Sequence, residues 1–175
     1  MKINRHSWIA AFALAVLGTP ALASGTHAHG GSHGHQDDST IGAPGKAADV
    51  RRTVKVDMTD NMRFKPTNIV VPEGQTVRFV VKNSGRIKHE FVLGTQKELQ
   101  EHYEAMKKFP EMEHTEDNMV TVAPGKTGEV IWKFTSGGRV DFACLQPGHY
   151  EAGMKGQVVV AAQRRSNDGH TDHKH

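Results

Sequence analysis

The segment CLQPGHYEAGM, residues 144–154, leads directly into KGQVVVA, residues 155–161. It places a thiol, an imidazole and a thioether at Cys144, His149 and Met154, with four residues between each and the next. A Pro-Gly pair between the first two allows a sharp turn, and the valine-rich run that follows is typical of a strand. The spacing therefore predicts a loop that gathers three potential metal ligands beside a strand.

A further histidine upstream is placed by the phase of its own strand. In HEFVL, residues 89–93, His89 shares one face with Phe91 and Leu93 and is predicted to point into the core. The same alternation gives two of the other candidates apolar neighbours, Cys144 with Val140 and Phe142, and Met154 with Val158 and Val160. His149 lies on the loop between strands and is predicted to be the candidate nearest to solvent.

Each of these side chains has an ordinary interpretation when it is taken alone. A methionine in phase with valines usually fills a core, and a histidine among apolar residues is usually a hydrogen-bonded core residue. The single cysteine of an exported chain is a buried spectator, half of an intermolecular bridge or a metal ligand. Because the four residues occur together, the ligand interpretation is favoured over three separate coincidences.

The mixture of donors indicates copper. Soft thiolate and thioether sulfurs favour Cu(I), imidazoles suit both Cu(I) and Cu(II), and two His with one Cys and a distant axial Met form a type 1 site. We therefore predict one copper per chain in a type 1 site, held by His89, Cys144, His149 and Met154.

Alternating apolar residues recur along the chain between turn signals. They form three clear sets, Val54, Val56 and Met58, then Val77, Phe79 and Val81, and then Val130, Trp132 and Phe134. Together with the ligand-bearing segments they predict an all-β fold, an antiparallel sandwich of about eight short strands.

One stretch has helical rather than strand periodicity. Residues 96–108 place Leu99, Tyr103 and Met106 on one helical face, Thr95 is suited to be the N-cap, and Pro110 follows the predicted end. The sequence therefore predicts one short helix inserted between two strands.

The two ends of the chain predict export and little fixed structure. Residues 1–23 have a basic start, an apolar run and small residues before Ala23, as in a cleaved secretory signal, and we expect the mature protein in the periplasm. The apolar run is shorter than the ~20 residues that span a bilayer. Residues 24–49 and 163–175 are predicted to be disordered, His-containing segments around a domain at 50–162.

Charge and patterning restrict the partners. Loss of Lys2 and Arg5 with the signal lowers the formal net charge from +3 to +1, and no basic patch with interleaved aromatic residues is visible. Nucleic acid is therefore excluded as a partner, and copper ions are expected. No hydrophobic stripe indicates an obligate dimer, so a monomer is expected.

The quoted residues resemble the cupredoxin family, which includes plastocyanins, azurins, rusticyanins and auracyanins. Residues 83–89, NSGRIKH, are similar to the family's upstream histidine segment, and residues 152–160, AGMKGQVVV, are similar to its final loop and strand. The resemblance covers about residues 53–162. It implies a Greek-key β-sandwich with one mononuclear copper.

Two features depart from the family pattern. Many members have Asn directly after the upstream histidine, where it steadies the loops near the thiolate, whereas this chain has Glu90. The helical insertion is also unlike the smallest electron carriers. The resemblance therefore leaves the reduction potential and the colour of the site open.

Additional copper sites are a hypothesis that the sequence leaves open. The histidines outside the domain are His27, His29, His33, His35, His170, His173 and His175. Such tracts either bind Cu(II) or Zn(II) weakly or act as solvated linkers. Met112 and His114 in the segment after the helix, and Met58 with Met62, are either surface copper ligands or partial core residues.

Two functions fit the predicted site. The His-rich ends and the enlarged domain favour copper tolerance by binding or oxidising Cu(I), as in the similar cupredoxins found beside bacterial copper-resistance systems. The alternative is a soluble electron carrier. A redox or copper-export partner would then dock near His149, on a patch formed by Pro147, Gly148, Ala152 and Gly153.

Catalysis by a second copper centre is not expected. Multicopper oxidases and copper nitrite reductases need further ligands, such as a histidine beside the cysteine, but Ala143 and Leu145 flank Cys144. Four protein ligands also leave copper no open position for a substrate. The sequence therefore predicts no enzyme activity beyond a weak cuprous oxidase activity.

Overall fold

Alternating apolar residues become strands in a computed structural model of the protein, which describes residues 41–110 and 115–163. The strands of these two ranges are β1 (Ala43–Pro44), β2 (Val50–Thr59), β3 (Arg63–Lys65), β4 (Asn68–Pro72), β5 (Thr76–Asn83), β6 (His89–Gly94), β7 (Met119–Val122), β8 (Thr127–Lys133), β9 (Gly138–Ala143) and β10 (Lys155–Ala161). A 3-10 turn covers Ala47–Asp49, and helix α1 covers Gln96–Lys108.

Two five-stranded sheets form the predicted sandwich, with orders β1-β8-β5-β2-β3 and β4-β10-β9-β6-β7. The all-β prediction is confirmed, with ten strands in the described ranges instead of about eight. The two shortest strands, β1 with two residues and β3 with three, are too short to produce an alternating pattern in the sequence.

The predicted antiparallel pairing is wrong at two places in the sandwich. β2 pairs with β5 in parallel, and β10 pairs with β4 in parallel, while the other pairs are antiparallel. The chain passes through β4 in the second sheet before it returns to the first sheet as β5. A strand that returns after crossing to the opposite sheet is free to run parallel to the strand it left.

The structured domain begins before residue 50, which corrects the boundary predicted for the disordered arm. Ala43–Pro44 pairs with β8, and Ile41 is buried. The indole N–H of Trp132 donates to the carbonyl of Ile41 at 2.8 Å. A buried indole N–H needs an acceptor, so the chain before β2 is held against the first sheet. Residues 24–40 and 164–175 of the two predicted disordered segments lie outside the described residues.

The interior between the sheets is built around five fully buried phenylalanines. They are Phe64, Phe79, Phe91, Phe134 and Phe142. Phe91 lies centrally, with ring centroids 5.0 Å from Phe142 and 5.3 Å from Phe79. Such aromatic contacts add to the large apolar area that each ring removes from water. The site described below stands at one end of this core.

Helix α1 begins and ends as the sequence predicts. The hydroxyl of Thr95 accepts from the Glu98 N–H at 3.2 Å, and the Glu98 carboxylate accepts from the Thr95 N–H at 2.6 Å, which forms a capping box. The buried residues of the helix are Leu99, Tyr103 and Met106. They pack with Val92 and Leu145 in a second apolar cluster. Strand β6 is consequently buried along its whole length, which gives its first residue a rigid support.

Candidate metal centre

Two donor side chains from the loop after β9 and one from the start of β6 meet at one end of the core. Ligand atoms of His89, Cys144 and His149 all lie within 4.8 Å of one another. The Nδ1 of His149 is 3.2 Å from the Nδ1 of His89 and 3.2 Å from the Sγ of Cys144. Among the described residues this is the one group of three or more His, Cys, Asp or Glu with that proximity.

Strand phase places two of these donors as the sequence predicts. His89 begins β6, Cys144 follows the last residue of β9, and these two strands are antiparallel neighbours. Both side chains are fully buried, and Cys144 belongs to the cluster between the sheets. His149 is half-buried on the connecting loop and is therefore the donor of the three that solvent reaches.

Met154 joins the same loop through its backbone. The Cys144 N–H donates to the Met154 carbonyl at 3.1 Å, and the Met154 N–H donates to the His149 carbonyl at 3.0 Å. Its side chain is fully buried in the interior cluster that also contains Cys144. The loop therefore brings the three late candidates together at its base, and the role of the thioether as a ligand stays a prediction.

The loop depends on two glycines in left-handed conformations. Gly148 has φ +86° and Gly153 has φ +87°, backbone angles that residues other than glycine rarely adopt. The Arg63 guanidinium, which belongs to β3, donates to the Ala152 carbonyl at 2.8 Å. A side chain from the opposite sheet thus fixes the far end of the loop, which the sequence gives no means to foresee.

Burial keeps the Cys144 thiol protonated in the absence of a cation. It raises the pKa of Cys144 to about 12, while backbone N–H groups of Glu90 and Gln146 act in the opposite direction. The Glu90 N–H lies 3.3 Å from the Sγ. Two backbone N–H groups therefore favour the thiolate, whereas burial and the charge of Glu90 oppose it. The sulfur needs a positive charge beside it to lose its proton at neutral pH.

His149 is adjusted to remain neutral. Burial lowers its pKa below the usual 6.5, and the neighbouring His89 lowers it further, with Asp60 opposing both. A neutral imidazole keeps a lone pair on one nitrogen, which a metal ion requires. The His149 imidazole is thus available to bind a cation.

Asp60 is a residue of the site that the sequence did not reveal. Its Oδ1 lies 3.2 Å from the Nε2 of His89, the nitrogen that faces away from the donor cluster. The Arg86 N–H donates to the other carboxylate oxygen at 2.8 Å and, as the largest cause, lowers the pKa of Asp60. Nothing in a turn that reads DNM, residues 60–62, indicates a partner 29 positions later.

Glu90 stands at the position after His89 where the family pattern has Asn. Its carboxylate is buried and contacts the ligand loop. The Gln146 side-chain amide donates to Glu90 Oε1, and the Thr121 hydroxyl is 3.5 Å from the same oxygen. The link that the sequence placed in doubt is therefore present in another chemical form. Glu90 Oε2 is buried without a hydrogen-bond partner within the described part of the chain.

The segment before His89 is fixed by a buried amide. Asn83 donates to the carbonyls of Ile87 and Val122 at 2.8 and 2.9 Å and accepts from the Gly85 N–H at 2.9 Å. Its side chain is fully buried at the end of β5. Asn83 therefore joins the loop that leads into His89 to strand β7.

The donor set fits copper on its chemistry. A thiol and two imidazoles within bonding reach of one point match the nitrogen and sulfur ligands of copper sites, with a buried thioether on the same loop. The position of Cys144, with sulfur stabilised by an N–H and shielded from solvent, suits a thiolate bound to a cation. These residues would hold one ion.

Other predicted ligands are separate from this cluster. Met58 is fully buried in the interior, and Met62 packs against the same cluster, as core residues do. Met112 and His114 lie outside the described residues, as do all seven histidines of the two ends. Of the predicted docking patch, Pro147, Gly148 and Ala152 are exposed around His149, while Gly153 is half-buried.

Comparison with known proteins identifies a family match that runs from β2 to β10. Residues 50–161 match the model of the family described as copper binding proteins, plastocyanin/azurin family. The copper-resistant cuproprotein CopI of Rubrivivax gelatinosus is 51% identical over 150 residues, which cover 83% of this chain and 91% of that protein. CopI of Pseudomonas aeruginosa is 36% identical over 178 residues, which cover 84% of this chain and 93% of that protein.

A solved structure shows the same architecture at lower identity. Dithionite-reduced auracyanin of the photosynthetic bacterium Roseiflexus castenholzii superposes with a TM-score of 0.55 and is 24% identical. The match covers 64% of this chain and 98% of auracyanin. This similarity concerns the fold. In the described part of the chain, no helix has the length and apolar character needed to cross a membrane.

Proposed function

The chain belongs to the plastocyanin/azurin family of copper-binding proteins, and on that premise we propose that it protects the periplasm against copper by binding it in a type 1 site. The resemblance seen in the sequence is thereby confirmed. The observation that carries the proposal is the cluster of His89, Cys144 and His149 within 4.8 Å. Two relatives of similar length are named for copper resistance, which supports this role over other uses of copper.

Each residue of the cluster contributes a distinct property. Cys144 supplies a buried sulfur that becomes a thiolate when a cation replaces its proton, and the Glu90 N–H stabilises that charge. His89 supplies a fully buried imidazole on a rigid strand. His149, half-buried at the surface of the loop, is the donor through which copper or an electron reaches the site. Bound copper supplies one-electron chemistry between Cu(I) and Cu(II).

The proposal is tested by growth in copper. A copper-sensitive bacterial strain is given the full chain, the Cys144→Ser variant or His102→Asn, whose histidine lies on α1 outside the cluster. Wild type and His102→Asn are expected to restore growth in copper salts at equal periplasmic protein levels, and Cys144→Ser is not. Equal protection by Cys144→Ser would disprove a role for this site in tolerance.

An electron carrier is the second candidate, favoured by the surface around His149. Pro147, Gly148 and Ala152 are exposed, small or rigid residues that let a partner approach the imidazole edge. Carriage predicts fast electron self-exchange and one copper per chain. Tolerance predicts that the full chain binds more copper than a truncated protein of residues 41–163, because its His-rich ends bind additional ions. Equilibrium dialysis of each protein against copper measures the total copper bound per chain. A higher value for the full chain supports tolerance, and an equal value supports electron carriage.

We also propose that the protein has no catalytic turnover beyond electron transfer. The neighbours of Cys144, Ala143 and Leu145, are buried in the apolar cluster beneath α1 rather than replaced by copper-binding histidines. Oxygen consumption with excess Cu(I) is then expected to stop after about one electron per bound copper. Sustained consumption over many equivalents would contradict this and reveal an oxidase.

A further inference from the structure

The two nitrogens of the His89 ring face different partners. Nδ1 lies 3.2 Å from the His149 Nδ1, inside the donor cluster, whereas Nε2 lies 3.2 Å from the Asp60 Oδ1. The ring itself is fully buried. An ionised carboxylate only accepts hydrogen bonds, so a neutral His89 satisfies it by carrying its proton on Nε2. That tautomer leaves the Nδ1 lone pair directed at the donor cluster.

The Asp60 carboxylate is held in this position by the loop on its other side. The Arg86 N–H donates to its Oδ2 at 2.8 Å. A Cβ at Gly85 would lie 1.9 Å from its Oδ1, so any larger residue there would displace the carboxylate. The loop that carries these contacts is itself fixed by Asn83. Turn and loop are therefore shaped to bring one carboxylate to one imidazole nitrogen.

We propose that Asp60 is a positioning residue of the copper site, which selects the His89 tautomer and strengthens Nδ1 as a donor to copper. The inference rests on the proposed function, because it requires His89 to bind copper. A carboxylate on the far nitrogen of a ligating histidine fixes the ring and raises its basicity. Negative charge close to the ligand stabilises Cu(II) more than Cu(I) and so lowers the reduction potential.

This role would suit a protein that lowers the amount of free Cu(I). A lower potential makes bound Cu(I) easier to oxidise by an external acceptor, and it retains the resulting Cu(II) more tightly. Asp60 is partly exposed, with 37% of its side chain accessible, so water screens part of its charge. Water weakens the long-range effect of the Asp60 charge, but it does not screen the hydrogen bond to the buried His89 ring.

Three substitutions separate charge, hydrogen bond and position. Asp60→Asn removes the charge and keeps an acceptor oxygen, and Asp60→Ala removes both. Gly85→Ala keeps the carboxylate but pushes it from His89. The matched control is Asp57→Asn, which removes the same charge from a carboxylate that bonds Ser84 rather than His89. If Asp60→Ala folds poorly, Asp60→Asn still tests the charge and Gly85→Ala still tests the position of the carboxylate.

The first measurement uses the apo-protein, by nitrogen-15 NMR of the imidazole rings. Wild type is expected to show His89 with its proton on Nε2, and Asp60→Ala to show a mixture of the two tautomers. The second measurement is the affinity of the copper-loaded site for each oxidation state. Substitution of a partner of this kind typically costs about 10–100-fold in metal affinity. We expect Asp60→Asn and Gly85→Ala to weaken Cu(II) at least tenfold relative to Cu(I), which raises the potential by about 59 mV.

The outcomes distinguish failure of the inference from failure of the proposed function. A proton on Nδ1 in the wild-type apo-protein would overturn the inference. The inference would also be overturned if Asp60→Asn shifts the reduction potential no more than Asp57→Asn does, while both variants keep the visible thiolate-to-copper absorption band expected of a type 1 site. If the wild-type protein gives no such band at all, the type 1 site itself is wrong, whereas the tautomer measurement still reports on the Asp60–His89 contact.

Discussion

The backbone N–H of Glu90 points at the Sγ of Cys144 from 3.3 Å, although the two residues are 54 positions apart in the sequence. The bond joins β6, which carries His89, to the residue that follows the end of β9. It places a fixed dipole beside an atom that must carry negative charge when a cation binds. The contact therefore links β6 to the ligand loop just beyond the place where β6 pairs with β9 at Val92 and Ala143.

Replacement of Cys144 by serine is expected to remove the colour of the site. A hydroxyl is a harder and much less acidic donor than a thiol, so the thiolate-to-copper band should vanish and affinity at this site should fall. A visible titration of apo-protein that also follows total bound copper checks this, with wild type saturating its band at one equivalent. An equally intense band in Cys144→Ser would show that copper is bound elsewhere.

Replacement of Met154 by leucine should have a milder effect. In a type 1 site the plane of two histidines and one cysteine supplies the strong bonds, and the axial thioether is a long, weak ligand. The variant is expected to retain an intense band at one equivalent, with a shifted maximum and potential. Met58→Leu, a buried methionine of the first sheet, is the control and should leave both unchanged. Identical spectra for wild type and Met154→Leu would argue against the fourth ligand.

Copper binding should release a proton at neutral pH. The pKa of Cys144 is raised to about 12, so the free thiol is protonated at pH 7–9, and binding as thiolate expels about one proton. Apparent affinity is then expected to rise about tenfold for each pH unit in that range. Below the lowered pKa of His149 its imidazole also binds a proton, so the dependence becomes steeper in acid.

Calorimetry in buffers of different ionisation enthalpy counts the released protons directly. Wild type should release about one at pH 7.5, while metal taken up by Cys144→Ser should not depend on this thiol. An affinity that is flat between pH 7 and 9 would mean that copper does not bind the Cys144 sulfur.

Asn83→Ala is expected to destabilise the fold and loosen the approach to His89. The fully buried amide makes three hydrogen bonds, and its removal leaves the carbonyl of Val122 buried without its donor. An unsatisfied buried group costs about 1–3 kcal/mol, so urea unfolding should show a loss of that order or more. Asn68→Ala, at an exposed position of β4, is the control and should change stability little. A loss no greater than the control's would contradict the role given to Asn83.

Phe79→Ala should weaken the core without changing the metal centre. The ring is fully buried in β5 and packs at 5.3 Å from Phe91 and 6.2 Å from Phe134. Removal of a buried phenylalanine ring costs about 3–5 kcal/mol. Denaturant unfolding measures the loss, and the visible band of the folded fraction should remain. Val70→Ala, 59% exposed on β4, is the comparison and should cost far less.

Much of the fold was accessible from the sequence because its signals are local. Burial on one face of a strand imposes a period of two, and this period predicts that His89 and Cys144 point into the interior. The N-cap at Thr95 and the periodicity of α1 are contained within a few neighbouring residues, and both predictions are confirmed. The capping box with Glu98 appears only in the structure. The candidate ligands themselves were identified by residue type and spacing.

The sequence by itself determined which side chains are available to a metal ion and which face of each strand they occupy. Only the tertiary structure decided what surrounds them. The carboxylate of Asp60 on His89, the Gln146 amide on Glu90 and the guanidinium of Arg63 on Ala152 all join residues far apart in the chain. The parallel pairs and the pairing of Ala43–Pro44 have the same origin. Strand order and loop packing fix such contacts, and these depend on the burial of the whole core rather than on any local pattern.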